Sequence, residues 1–361
     1  MPKLEKTDQG VVVLEYQDLL SGKDLTKHIQ EALGNSPTAL GVIFIRHVPN
    51  LLPLREEALL KSLEHSKLPR FIQEETAHPQ SNFLTGWSLG KEWVNQKPDI
   101  SKGSFYANPL QQEPIQTTEE LRARFPVYLH DNQWPRPDLV PGFQDAFCQL
   151  GKLIHSVGLS LAQHCDAYIA QHVPKEARVP LVESLQGPAT TKGRLLHYYT
   201  NDANSSSAEQ EDEDSWCGWH VDHSFLTGLT SPRYTREGQE VLGAELDSPS
   251  LLIRDRWGTL HSVSIPQDCL SFQLGQALEL ASQGHLLATY HCVRRSPDPT
   301  LSRDTFALFL QPPLDLTIFH RDPNLFKNPS GMGPSTTMTF GEYTEQVVGR
   351  NHVKEKATAF S

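Results

Sequence analysis

The sequence predicts a mainly β fold braced by helices, a sandwich or jelly roll, and three observations carry that reading. Short β-branched and aromatic runs, separated by turn residues, recur from residue 194 to residue 310. One long amphipathic stretch, 142–171, precedes them. Many short strands at such spacings build a sandwich or jelly roll, not a parallel α/β sheet.

The elements follow in order. The run VVVLEY at 11–16 reads as a strand. Residues 24–33 set Leu25, Ile29, Ala32 and Leu33 on one helical face, and Gly34 stops the helix. GVIFIRHV at 41–48 is a second β-branched run ended by Pro49, and 51–65 reads as a helix. Pro, Gly, Asn and Gln break the pattern across 71–141, where recurring aromatics (Phe83, Trp87, Trp93, Phe105, Tyr106) predict ordered loops with short elements. Between 142 and 171, Phe143, Phe147, Leu150, Ile154, Val157 and Leu161 form a continuous apolar stripe. Short strands are expected at 194–199, 220–227, 250–254, 261–265, 270–274, 288–293 and 305–310. Residues 1–141 are therefore expected to pack on the core, 142–185 to give the long helix and a following one, 186–320 to form the barrel, and 321–361 to form a tail. Together these make one compact unit.

With 361 residues, 38% hydrophobic and 21% charged, the chain is long enough to bury a large core. No stretch approaches the roughly 20 apolar residues of a membrane helix. The first residues show neither a secretory nor a transit pattern, so cytoplasmic residence and no membrane contact are expected. A net charge of −11 argues against nucleic acid as a partner. The five cysteines include no C-x-x-C pair, which fits free thiols rather than a disulfide framework or a zinc ribbon. The acidic run at 201–215 cannot bury enough surface to offset its ordering entropy. It reads as a solvated loop, with a lid or a partner-protein loop as the alternative.

In WHVDHSF, His220 and Asp222 stand two apart in a strand-like run, so both side chains share a face and can reach one metal ion. The tripeptide alone is weak evidence. A second histidine, His291, lies in another apolar run, YHCV. Two histidines and one carboxylate on one face leave open positions on an iron ion for co-substrate and oxygen. Further on, Arg303 and Thr305 again share a face. An arginine beside a hydroxyl makes a carboxylate clamp. A molecule that chelates iron at one end and carries a carboxylate at the other would bridge the two features, and 2-oxoglutarate has that shape.

The ordered set Leu195-x-x-Tyr198-Tyr199, His220-x-Asp222, Gly284-x6-His291 and Arg303-x-Thr305 resembles the isopenicillin-N-synthase-like 2-oxoglutarate/Fe(II)-dependent dioxygenases. The likeness is most specific from about 194 to 312 and looser before that. It extends to Thr339-Phe340-Gly341-Glu342-Tyr343 in the tail. It implies a double-stranded β-helix (a jelly roll), Fe(II) held by His220, Asp222 and His291, and 2-oxoglutarate held by Arg303 and Thr305 with a hydrogen bond from Tyr199. His197 stands where many members carry asparagine near the co-substrate. The implied reaction consumes O2 and 2-oxoglutarate, releases succinate and CO2, and oxidises a small organic molecule by hydroxylation, desaturation or cyclisation. Departures surround the barrel mouth: R-x-T replaces R-x-S, and Trp216 and Trp219 stand where small residues are common.

The other candidates have plainer readings. His223 is structural, His285 sits at a turn and His261 in a hairpin, while Cys217 and Cys292 pack rather than ligate. Tyr234, Phe225, Leu252 and Phe309 are pocket candidates for which core packing competes, and Trp219 stands out beside a ligand. Two alternatives stay open. One is an Fe(II) oxidase of the same fold that uses no 2-oxoglutarate, with Arg303 and Thr305 gripping the substrate's own carboxylate. The other is a non-catalytic ligand sensor.

Overall fold

The strand-forming runs pair into two main sheets. The computed structural model describes residues 3–91, 93–94, 97–187, 190–200, 215–241, 251–320 and 337–347. All but the last residue of the acidic run, and most of the expected tail, lie outside that set. The larger sheet has eleven strands. Its order is Glu5–Lys6, Val12–Glu15, Val42–Arg46, Cys269–Leu274, Leu226–Thr230, Leu301–Leu310, Lys192–Tyr198, Lys102–Ala107 and Gly86–Leu89. The hairpin Arg233–Arg236 and Gln239–Val241 attaches alongside Leu301–Leu310. Only Val12–Glu15 with Val42–Arg46 is a parallel pair among the described strands, which makes the sheet mixed. The smaller sheet is antiparallel, in the order Leu260–Val263, Leu251–Arg254, Tyr290–Arg294, Ser215–His220.

One face of the large sheet is braced by the helix Phe143–Ile169, whose buried side includes Phe143, Phe147, Leu150, Ile154, Val157 and Leu161. Small residues let helix and sheet approach closely. A Cβ on Gly158 would stand 2.5 Å from Leu310 Cδ2, and one on Gly228 would stand 2.3 Å from Ile154 Cγ2. A Cβ on either glycine would force those side-chain ends to shift.

The other face of the large sheet meets the small sheet. Val11, Val13, Val42 and Phe44 pack against Leu251, Ile253 and Val263 at one end. At the other end Leu196, Tyr198 and Ala307 pack with Trp216, Tyr234 and Leu301, with Val293 against them. Between these clusters lies a cavity of about 540 Å³.

Most expected strands are present with shifted ends, and one expectation is corrected. The run 220–227 is not one strand. The Ser215–His220 strand stops at His220, and the chain re-enters a sheet at Leu226. Asp222 therefore sits in a connecting loop, fixed by Gln276 N–H donating to its carbonyl at 2.7 Å. Within 71–141 the structure places two buried strands of the large sheet, Gly86–Leu89 and Lys102–Ala107.

Candidate metal centre and cavity

His220 and His291 are cross-strand partners in the small sheet. Their ring centroids are 4.3 Å apart. With Asp222 they offer ligand atoms that all lie within 4.8 Å of one another. His220 Nε2 is 3.6 Å from Asp222 Oδ1.

Backbone carbonyls set both tautomers. His220 Nδ1 lies 2.7 Å from the Gly218 carbonyl oxygen, and His291 Nδ1 lies 3.0 Å from that of Thr289. A carbonyl only accepts, so each Nδ1 carries a proton and each Nε2 is the ring atom turned toward the place a cation would occupy. The approach to His291 is pinned as well. Arg256 donates to the Leu287 and Ala288 carbonyls at 2.8 Å each, and Glu279 Oε2 accepts from Ala288 N–H at 2.7 Å.

The electrostatics suit a divalent cation. Burial pushes the Asp222 carboxyl up, but His291, His220 and the Thr227 hydroxyl outweigh it and hold it below its ordinary value. Burial pushes His220 down, yet Cys217 and Asp222 raise it to about 9. Burial, with help from the charge of His220, keeps His291 below its ordinary value. The Asp222 carboxylate is thus held ionised beside a histidine that readily takes up a proton, and a bound cation would take that proton's place.

Arg303, Thr305, Ala307 and Phe309 share the cavity face of the Leu301–Leu310 strand and line the same space as the triad. Arg303 is 6% exposed, and its Nε and Nη1 are buried with no hydrogen-bond partner among the described residues. Its guanidinium stacks 5.0 Å from the Tyr198 ring centroid. A buried guanidinium with idle donors is costly unless an anion meets it. A carboxylate in this cavity would fit. Arg55, itself 1% exposed, holds the neighbouring stretch of the wall by donating to the Ser231 and Pro232 carbonyls at 2.8 and 2.7 Å.

Three sequence readings change here. Tyr199 does not line the cavity; Tyr198 does. Strand alternation turns His197 and Tyr199 to the other face, where their rings meet edge-on at 4.6 Å and His197 Nδ1 bonds Asp304 at 2.8 Å. His197 is thus also turned away from the cavity. Cys217, read as a packing residue, lines the cavity with Sγ 3.8 Å from His220 Nδ1.

The remaining candidates separate cleanly. Tyr234 and Phe309 line the cavity, while Phe225 and Leu252 are buried outside its lining. Trp219 stacks on Tyr290 at 5.2 Å with Arg254 over it, outside the cavity lining. His223 pairs with the Tyr128 hydroxyl at 2.8 Å, His261 with Asp255 at 2.9 Å, and His285 stacks on His172. Sequence reasoning missed Tyr198, Thr227 and Gln273, whose cavity orientation follows only from strand register.

No protein-family profile matches the sequence, and no curated protein matches it. Solved structures do. Full-length T7H from Neurospora crassa, in complex with alpha-KG, aligns at TM-score 0.67 and 19% identity, covering 97% of this chain and 99% of that one. The rice dioxygenase for auxin oxidation aligns at 0.62 and 16%, covering 94% and 95%. JOX2 in complex with 2OG, Fe and JA aligns at 0.63 and 14%, covering 96% and 87%. These likenesses show that the chain shares the fold of those structures.

Proposed function

We propose that this protein is a 2-oxoglutarate- and Fe(II)-dependent dioxygenase that oxidises a small organic molecule, with its two facing sheets forming the double-stranded β-helix of that class. The observation that carries the reading is one cavity holding both the His220–Asp222–His291 cluster and the unpaired donors of Arg303. His220, Asp222 and His291 would ligate the iron, the Nε2 atoms already oriented by the Gly218 and Thr289 carbonyls, the Asp222 backbone held by Gln276 N–H and its carboxylate by the Thr227 hydroxyl. Iron with 2-oxoglutarate supplies oxygen activation coupled to decarboxylation, leaving succinate and CO2.

The chain's own residues do the positioning. Arg303 binds the distal carboxylate and Thr305, two residues along on the same face, adds a hydroxyl. Tyr198 takes the place expected of Tyr199, buttressing the guanidinium with its ring. Leu196, Leu229, Val293 and Phe309 keep water from the reacting centre. The solved neighbours bound to thymine and to JA are consistent with a small-molecule substrate of comparable scale.

The direct test is calorimetry of 2-oxoglutarate on the Fe(II)-loaded chain under anaerobic conditions, followed by aerobic assay for succinate. Iron binding without 2-oxoglutarate binding would sink this reading in favour of an oxidase of the same fold. Failure to bind iron would favour a sensor.

A further inference from the structure

Gln273 stands on the cavity wall with neither end of its side-chain amide paired among the described residues. It is 1% exposed, and both its amide nitrogen and its amide oxygen are buried. More than nine in ten buried polar groups in folded proteins are paired, and each one left unpaired costs about 1–3 kcal/mol. Both ends of one carboxamide are idle here, and the residue lines the cavity with the triad.

Register fixes where Gln273 stands. Its cross-strand partner is Thr227, whose other partner is Phe309. The Thr227 hydroxyl bonds the Asp222 carboxylate, so this row runs beneath the metal ligands. Arg303 lies six positions from Phe309 on its strand, a strand run of roughly 20 Å. A co-substrate stretched from the triad toward Arg303 therefore leads away from Gln273. On the dioxygenase reading, that leaves the amide facing the space where the substrate would sit.

From this we infer that Gln273 recognises a substrate edge carrying a hydrogen-bond donor and an acceptor side by side, as a lactam, imide or other cis-amide group does. The inference rests on the dioxygenase reading only for calling the ligand a substrate. Whichever way the amide is flipped, it offers one donor and one acceptor in a plane. A cis-amide edge answers both at once. A ketone or a carboxylate, which only accepts, would leave the amide oxygen unanswered. A site built to pair such groups rejects an analogue that lacks one of them far more strongly than an apolar pocket does.

The test uses the full chain loaded with Mn(II), which does not turn over, and saturated with 2-oxoglutarate. Three probes are compared by paramagnetic relaxation of their protons: 2-piperidone, N-methyl-2-piperidone, which lacks the donor, and cyclohexanone. 2-Piperidone is expected to bind roughly tenfold or more tightly than the other two, the size of one good hydrogen bond. In Gln273→Met, an unbranched replacement of similar length, the preference should fall to within about twofold while Mn(II) and 2-oxoglutarate affinities hold. Gln273→Glu, which keeps the shape and swaps a donor for an acceptor, should also lose the preference.

Equal binding of the three probes by the native chain would overturn the inference. So would a preference that survives both substitutions, or a tenfold loss of 2-oxoglutarate affinity in Gln273→Met, which would assign the amide to the co-substrate. If the native chain binds neither Mn(II) nor 2-oxoglutarate, the dioxygenase reading fails instead. Probe selectivity at Gln273 is then read on the metal-free chain by saturation transfer.

Discussion

His197 Nδ1 and Asp304 Oδ1 lie 2.8 Å apart, both buried, on the sheet face that turns away from the cavity. Their chain neighbours Tyr198 and Arg303 are themselves cross-strand partners and face inward. The pair thus clamps, from behind, the two strands that present the guanidinium. Replacing His197→Leu leaves the Asp304 carboxylate, 0% exposed, without its hydrogen bond. A loss of about 1–3 kcal/mol is expected in urea unfolding, and His197→Leu with Asp304→Leu should recover part of it. A single variant as stable as the native chain would show that the clamp contributes nothing.

Arg303→Leu removes the buried donors that have no other described partner. The expected result is a loss of 2-oxoglutarate affinity of about 100-fold or more, as for one partner of a buried charge-assisted pair. Iron affinity should stay within a few-fold, since Arg303 is not in the cluster of ligand groups. Arg303→Lys should recover only part, because a point charge cannot form the bidentate pair. Titrating 2-oxoglutarate into the Fe(II)-loaded variants separates these outcomes.

The site was more legible than the face it presents. His220, Asp222, His291, Arg303 and Thr305 are side chains of distinctive chemistry at short spacings, and the structure gathers all five around one cavity. Tyr198 and Tyr199 are adjacent and chemically alike, so only pairing with Arg303 decides which faces inward. Gln273 had no local signal, because its isolation depends on Thr227 and Val42 from two distant segments. The long helix was visible because its apolar stripe repeats over many turns. The Lys102–Ala107 strand was not, since KGSFYA is buried on both faces and shows no alternation.

Iron should be removable and its loss should be specific. Chelation with excess EDTA is expected to abolish succinate formation, and Fe(II), not Mg(II), should restore it, because two imidazoles favour a borderline transition metal over a hard cation. Asp222→Ala, which removes the ligand ionised between His220 and His291, should drop bound iron below about a tenth of an equivalent by elemental analysis. Retention of stoichiometric iron by Asp222→Ala would place the metal elsewhere.

His65 gives the stability a pH dependence independent of the metal. It packs among Trp87, Phe105 and Phe143, and burial, with a smaller push from His197, lowers it from 6.5 to about 4. The folded chain therefore refuses a proton that the unfolded chain accepts. The stabilisation is complete above pH 6.5 and drains away as the pH falls toward 4, a change on the order of 3 kcal/mol. His65→Phe keeps the aromatic cluster and removes the titration. Unfolding free energies measured across this window should fall more steeply for the native chain than for the variant; parallel curves would refute the assignment.

Gly275 ties the metal loop to the strand that carries Gln273. Its φ of −94° suits any residue, so backbone strain is not what excludes a side chain. Contact is: a Cβ there would stand 2.1 Å from the Ser224 carbonyl oxygen and 2.7 Å from its carbon. Backbone atoms cannot swing aside as a side-chain end can. Gly275 N–H also donates to Phe225 at 3.0 Å, and the next residue holds the Asp222 carbonyl. Gly275→Ala should therefore push the loop carrying Asp222 outward, costing about 1–3 kcal/mol of stability and lowering iron affinity by roughly tenfold or more in chelator competition. Gly158→Ala is the matched control, because its Cβ would meet the Leu310 side chain at 2.5 Å on the helix side of the sheet. A smaller loss of stability, since that side-chain end can shift, with unchanged iron affinity is expected there. Equal effects of the two variants on iron would mean that Gly275 acts through global stability and not through the position of Asp222.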